Sequence, residues 1–138
     1  MPAVVEVAMV GSGEDLWAVA RVQNTAYGER VETGRHDVDR LRRTVDGGGA
    51  VALARWDGVP AGTGLFTSPR HGLVEIAAVG VLPAYRRRGI ASAVTAALTS
   101  AAFAAGATPY LQTETANERR LYARLGYHTV GELIAISR

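Results

Sequence analysis

The chain has 138 residues, 48% of them hydrophobic and 20% charged, which is typical of one packed domain spanning residues 1–138. It contains no cysteine, which excludes disulfides, thiolate metal sites and a cysteine nucleophile. The net charge of +2 is too small to indicate nucleic-acid binding, and no apolar run reaches the length of a membrane helix, about 18 residues. The first ten residues lack basic side chains and do not resemble a secretory signal, so we expect a cytoplasmic protein without nucleic-acid or membrane partners.

Strand and helix patterns follow one another along the whole sequence. Strand segments are rich in β-branched residues, helix segments repeat apolar residues at three- and four-residue spacing, and glycines close several of them. In the first half we predict a strand at Val4–Val10, a helix at Glu14–Tyr27, a short helix capped by Asp37 and ended by Gly47, and a hairpin of Ala50–Trp56 and Val59–Thr67. In the second half we predict a strand at Leu73–Val81, a helix at Ala91–Ala105, a strand at Tyr110–Thr113, a helix from Asn117 to Leu125, and one or two strands within Tyr127–Ile136. This order predicts a mixed α/β sheet with helices on both faces.

The segment Ala77–Ala91 joins the most apolar strand to the alanine-rich helix through a basic turn. A helix start exposes unpaired N–H groups and the positive end of a dipole, which favours phosphate binding. Gly89 would let an anion approach the backbone, the small Ala91 would leave the next turn open, and Arg86–Arg88 would add positive charge. The turn lacks the lysine and hydroxyl residue of a P-loop, which disfavours nucleoside triphosphate chemistry. The segment therefore predicts a phosphate-binding turn, with a purely structural helix start as the alternative.

This turn resembles the signature of the GNAT acetyltransferase superfamily. Arg86-x-x-Gly89-x-Ala91 matches its pattern of Gln or Arg, two residues, Gly, one residue, and Gly or Ala. Leu121–Tyr127 is similar to the family's Leu-Tyr-x-x-Leu-Gly-Phe ending, and Val81-Leu82-Pro83 is similar to its Val-x-Pro segment. The resemblance covers residues 50–136, whereas the first fifty match in element order alone. It implies an acetyl-CoA-dependent N-acetyltransferase with a mixed, mostly antiparallel central sheet flanked by helices on both faces.

The resemblance also implies which residues hold the coenzyme. The backbone at the end of the Leu73–Val81 strand would pair with the pantetheine arm like an added strand, and turn N–H groups would bind the pyrophosphate. Asn117 would contact the coenzyme arm, although it lies closer to Tyr122 than is common in the family; the alternative is a helix N-cap. The implied coenzyme-binding residues are Val79, Gly80, Val81, Arg86, Arg87, Arg88, Gly89, Ile90, Ala91, Ser92 and Asn117.

Two side chains are candidates for proton transfer in direct attack within a ternary complex. Tyr122 matches the family tyrosine that points at the coenzyme sulfur and would be the general acid; the alternative is a core aromatic residue. Glu75 is a carboxylate in an apolar strand, where burial is unfavourable without a partner, and some family members have a base glutamate here. It would be the general base, directly or through a water, with Glu114 as a second candidate. A solvent-facing residue or an arginine partner is the alternative for Glu75.

Three functions are compatible with these residues. The first is transfer of acetyl to a primary amine of a small molecule or peptide, with Trp17, Tyr27 and residues 28–35 on the acceptor side by resemblance. The second is a catalytically silent coenzyme A-binding or sensory module, which intact Tyr122 and Glu75 disfavour. The third, nucleic-acid binding, would rest on three clustered arginines alone. The three histidines have no metal-ligand spacing, so we expect no metal, and the resemblance implies a homodimer.

Overall fold

The computed structural model of the chain describes residues 3–28, 32–112, 116–130 and 133–135. In this part of the chain the strands are β1 (Val5–Val10), β2 (Ala50–Trp56), β3 (Val59–Phe66), β4 (Leu73–Val81), β5 (Thr108–Gln112), β6 (His128–Val130) and β7 (Leu133–Ala135). The helices are α1 (Gly13–Ala26), α2 (Arg35–Asp46), α3 (Ile90–Ala104) and α4 (Ala116–Arg124), and a 3₁₀ turn lies at Pro83–Tyr85. The strands form one sheet in the order β1-β2-β3-β4-β5-β7-β6, in which β4 and β5 are parallel and the other described pairs are antiparallel. The predicted mixed, mostly antiparallel sheet is therefore confirmed.

Both faces of the sheet are covered, and β2 shows why. Its side chains alternate, so that Val51 and Leu53 pack with α1 and α2, whereas Ala52 and Ala54 pack with α3 on the other face. Because both faces are buried, the strand is a continuous apolar run in the sequence rather than an alternating one. The prediction of helices on both faces is confirmed.

At two helix starts the structure gives a predicted capping residue another position. Asp37 is not the residue before α2 but its third residue, since the helix begins at Arg35 after an extended Gly34. Its carboxylate instead reaches back and accepts the N–H of Gly34 at 3.0 Å. Likewise, α4 begins at Ala116, so the predicted cap Asn117 lies inside its first turn.

β4 changes its neighbours along its length, and this change opens the sheet. It pairs with β5 only from Leu73 to Glu75, and no described strand covers that edge farther along. On the other edge, the single residue of β3 between Thr63 and Leu65 faces two residues of β4, Ala78 and Val79, so β4 contains a bulge. Ala78 lies at the bulge with a φ of +56°, a conformation that residues other than glycine rarely adopt. One edge of β4 is therefore uncovered by any described strand at and beyond Ala78, where the backbone is strained.

Asp37 joins the start of α2 to α1, and we predict that it stabilises the fold in a pH-dependent way. It accepts hydrogen bonds from Gly34 N–H, from the Asn24 amide at 3.5 Å and from Arg40 at 3.3 Å. The Gly34 bond is the main cause that lowers the pKa of Asp37, against the opposing effect of burial. Because the folded-state pKa is depressed, the stabilisation is complete above the unfolded pKa of about 3.9 and is lost as the pH falls through the folded value.

We expect Asp37→Asn to lower the free energy of unfolding by about 1 kcal/mol at pH 7. Urea unfolding at pH 7 and near pH 2 measures this, and the difference from the wild type should shrink at the lower pH. Asp39→Asn, on the same helix but exposed, is the matched control. If Asp37→Asn lowers the free energy of unfolding equally at both pH values, the ionised carboxylate of Asp37 is not the stabilising group.

Candidate active site

A cavity of about 500 Å³ lies where the ends of α1 and β4 meet the start of α3. Its volume is within the range of small-molecule and cofactor sites. Most of the residues predicted to bind the coenzyme line it, although they come from two different elements and the turn between them. These are Val79, Gly80, Val81, Arg86, Arg87, Gly89, Ile90, Ala91 and Ser92.

The first turn of α3 presents backbone N–H groups without a side-chain cap. Gly89, the residue before the helix, has a φ of +81°, and a Cβ added there would meet no atom within 4 Å. Ala93 donates its N–H to Gly89 O at 3.0 Å, so the N–H groups that precede it have no acceptor in the helix ladder. Arg87, at a φ of +65°, adds a second left-handed residue beside the cavity. Such strain persists where the surroundings enforce it, frequently at ligand-binding sites.

The end of β4 forms a second wall with free backbone groups. Leu82 donates its N–H to Ala61 O on β3, so by alternation Val81 and Val79 direct their backbone groups to the open side. Their side chains pack meanwhile against the α3 face of the core. The Val79 carbonyl accepts the Tyr27 hydroxyl at 3.4 Å, and the Val81 carbonyl accepts Arg86 Nε at 3.1 Å. Each carbonyl retains a second lone pair.

The three arginines of the turn have different surroundings. Arg86 holds the turn against α1, because its guanidinium also donates to Ala26 O at 3.0 Å. Gly80 permits this close approach, since a Cβ there would lie 3.0 Å from the Ala26 Cβ. The Arg88 guanidinium stacks over Trp56 at 5.0 Å and Tyr85 at 5.6 Å, and Arg88 is not among the residues lining the cavity. The three arginines, predicted to act as one basic patch, therefore have different positions. Arg86 and Arg87 line the cavity, and Arg88 does not.

Tyr122 is half-buried on α4, next to the cavity-lining Leu121. Its ring contacts that of Tyr127 edge to face, with 6.3 Å between the ring centroids, and the Tyr127 hydroxyl is hydrogen-bonded to Thr99. Burial is the main cause that raises the pKa of Tyr122, and Glu118 and Tyr27 raise it further. A phenol with a raised pKa keeps its proton at neutral pH, as a general acid must. Tyr27 lines the cavity, whereas Tyr122 is not itself among the lining residues.

The remaining predicted residues lie apart from the cavity or outside the described residues. Glu75 is half-buried and donates its N–H to Thr67 Oγ1 at 2.9 Å. Because Val74 and Ile76 belong to the α3 face, alternation places the Glu75 side chain on the α1/α2 face. The Asn117 side chain and all of Glu114 lie outside the described residues. Trp17 packs in the α1/α2 core, as expected of a core residue rather than a substrate wall.

A second cavity, of about 300 Å³, lies on the α1/α2 face of the sheet. It is bounded by Gln23 and Tyr27 from α1 and its end, Arg40 from α2, and the bulge residue Ala78. Tyr27 lines both cavities. Gln23 and Arg40 were missed by sequence reasoning, because a polar residue on an amphipathic helix carries no motif.

Two features are absent from the described part of the chain. Its histidine, aspartate and glutamate residues form no group of three or more that could hold a metal ion. None of its helices combines the length and apolarity needed to cross a bilayer.

Comparison with known proteins agrees with this geometry. Residues 16–127 match the model of the Acetyltransferase (GNAT) family. A GCN5-related N-acetyltransferase from Kribbella flavida is 31% identical with a TM-score of 0.72, and the match covers 98% of this chain but 50% of that protein. A GNAT acetyltransferase from Brucella melitensis in complex with acetyl-CoA has a TM-score of 0.73 at 16% identity, covering 97% of this chain and 88% of its own. A Salmonella typhimurium protein solved with its cofactor acetyl-CoA has a TM-score of 0.74 at 19% identity, covering 92% and 81%. No curated protein matched the chain.

Proposed function

Because the chain belongs to the acetyltransferase (GNAT) family, we propose that it transfers an acetyl group from acetyl-CoA to a primary amine. The observation that supports this most is the uncapped first turn of α3, which opens onto a cavity of about 500 Å³ bordered by the free edge of β4. A diphosphate fits unpaired N–H groups at a helix start, and a peptide-like pantetheine arm fits an unpaired strand edge. The coenzyme would bind with its diphosphate on residues 87–92 and its arm along Val79–Val81.

In the reaction the ammonium group loses a proton, the thioester oxygen gains charge, and the leaving thiolate gains a proton. Different residues of this chain would assist each of these three changes. The amine nitrogen attacks the thioester carbonyl carbon, the C–S bond breaks, and the thiolate takes a proton. Tyr122 would donate that proton, since a phenol whose pKa lies above the ordinary value near 10 is protonated at neutral pH. Strand-edge N–H groups at the β4 bulge, including that of Val79, would hydrogen-bond the thioester oxygen as it gains charge.

Removal of the ammonium proton is assigned to Glu75 acting through water. Its side chain faces the α1/α2 side, where the second cavity lies, but it is not among the residues lining either cavity. A water chain would therefore have to connect its carboxylate to the amine. Glu114 remains the second candidate for this role.

The wider setting follows the same family assignment. We propose one catalytic domain over residues 1–138, acting in the cytoplasm on a small-molecule or peptide amine, with a homodimer as the assembly. Light scattering of the purified chain tests the assembly directly.

We expect acetyl-CoA to raise the midpoint of thermal unfolding, because it binds the native state alone. At a concentration of 100 Kd the free energy of unfolding should increase by about 2.7 kcal/mol. Acetyl-pantetheine, which lacks the diphosphate, is the control and should stabilise far less. Thiol release from acetyl-CoA should then appear with at least one amine of a broad panel. Stabilisation without turnover would indicate the silent coenzyme-binding module, and equal stabilisation by both thioesters would place the diphosphate elsewhere.

A further inference from the structure

The second cavity contains a buried donor that nothing in the described structure satisfies. Gln23 is 8% exposed, and its Nε2 has no acceptor among the described residues. Buried polar atoms in native proteins nearly always have a partner, so an unpaired donor on a residue that lines a cavity indicates a missing acceptor. Because the cavity is lined by Gln23 itself, a bound molecule with an oxygen acceptor is the simplest source.

The other lining residues restrict what that molecule can be. The guanidinium of Arg40 donates one hydrogen bond to the Asp37 carboxylate at 3.3 Å, and it has further N–H donors. The described residues lining this cavity include no aspartate or glutamate, so its polar wall offers donors and a positive charge to an anion. Leu41, Leu65 and Ala78 form an apolar surface in the same cavity. These features suit a carboxylate joined to a small apolar group.

The position of the cavity connects it to the proposed reaction. Ala78 lines this cavity while the next residue, Val79, lines the coenzyme cavity, so the two volumes adjoin the same stretch of β4. Tyr27 lies between them and contributes to both. A molecule in the second cavity would thus have one end near the acetyl group proposed to lie along Val79.

We propose that the acceptor is a small free α-amino acid with an apolar side chain, and that Gln23 determines this specificity. Its carboxylate accepts hydrogen bonds from Gln23 Nε2 and Arg40, its side chain contacts Leu41 and Leu65, and its amine faces the thioester beside Ala78. The proposal rests on the acetyl transfer proposed above. A volume of about 300 Å³ favours a single amino acid over a longer chain.

The test compares each free amino acid of a twenty-member panel with its own carboxamide as acceptor. The pair has the same side chain but differs in the charge and acceptor strength of the group that Gln23 would bind. Because the amine of the carboxamide is also less basic, kcat/KM is calculated on the concentration of neutral amine. We expect at least one apolar amino acid to exceed its carboxamide roughly 10- to 100-fold in kcat/KM, the range for a hydrogen bond to a charged group. If no free amino acid is a better acceptor than its carboxamide, the inference is wrong.

Two variants then assign the preference to Gln23. Gln23→Met removes the donor without adding charge, and Gln23→Glu replaces it with a carboxylate of nearly the same shape. Both should remove most of the preference for the free acid, chiefly through KM, with the larger loss in Gln23→Glu. Arg21→Gln, an exposed site on the same helix with the same change of one charge, is the matched control and should retain the preference.

The outcomes separate this inference from the proposed function. Acetylation of amines irrespective of their carboxylate, or a preference that survives Gln23→Met, would refute the specificity while leaving acetyl transfer intact. Acetyl-CoA binding without acetylation of any amine would refute both. If Gln23→Glu fails to fold, Gln23→Met still decides the question, because it leaves no buried charge.

Discussion

Replacement of Tyr122 by phenylalanine should lower kcat by about 100-fold or more, while the KM for acetyl-CoA stays nearly unchanged. General acids contribute about 10²- to 10⁴-fold to enzymatic rates, and the hydroxyl is the only part of this side chain that the substitution removes. The edge-to-face contact with Tyr127 needs only the ring, so the fold should not change. Steady-state kinetics with a saturating amine measure the effect.

The matched control and the pH profile make the assignment specific. Tyr127→Phe removes a hydroxyl bonded to Thr99 in the core, so it should reduce stability and leave kcat largely intact. Burial, Glu118 and Tyr27 raise the pKa of Tyr122, so kcat should decline only above the ordinary phenol value near 10. The Tyr122→Phe variant should lack this alkaline decline. An unchanged kcat, or equal losses in both variants, would exclude Tyr122 as the acid.

The strands were predicted best where burial alone determines them. The bounds of β2 and β4 agree with the sequence prediction, because both are apolar runs bounded by turn residues, and β2 is buried on two faces. The hairpin between β2 and β3 follows from Asp57-Gly58, both of which have positive φ in the structure. Local chemistry was sufficient for these elements, since no distant contact competes with it.

Helix starts were predicted less well, because several residues compete for the same N–H groups. Asp37 was expected before α2, yet it acts from inside the first turn by reaching back to Gly34. From sequence alone the two arrangements look alike, since both require a carboxylate near the helix start. Only the packing of Asn24 and Arg40 around Asp37 distinguishes them.

Neither the bulge of β4 nor the second cavity could be predicted from sequence. Alanine at position 78 gives no sign of a left-handed residue; its conformation follows from the register imposed by β3. Gln23 and Arg40 lie in different helices, and only the packing of α1 on α2 brings them to one cavity. The coenzyme turn, by contrast, is contiguous in the chain, which is why a short motif could indicate it.

The same turn leads to the second large effect: Ala91→Glu should weaken acetyl-CoA binding by roughly 100-fold. Ala91 lines the cavity as the second residue of α3, so a carboxylate there would lie close to the proposed diphosphate. Two like charges about 5 Å apart at an effective dielectric constant near 20 repel by about 3 kcal/mol, which corresponds to about that factor. Calorimetric titration with acetyl-CoA measures the change.

The stability of the coenzyme-free Ala91→Glu variant distinguishes a loss of acetyl-CoA affinity from a folding defect. A glutamate in the first turn of a helix is favourable, by about 0.3–1 kcal/mol, so the coenzyme-free variant should be at least as stable as the wild type. Ala91→Gln adds the same bulk without charge, and it should lose much less affinity than Ala91→Glu. The gap between the two variants should also narrow at high salt, because the site opens to solvent. If both bind acetyl-CoA equally well, the diphosphate does not lie on the first turn of α3, and the carboxylate has nothing to repel.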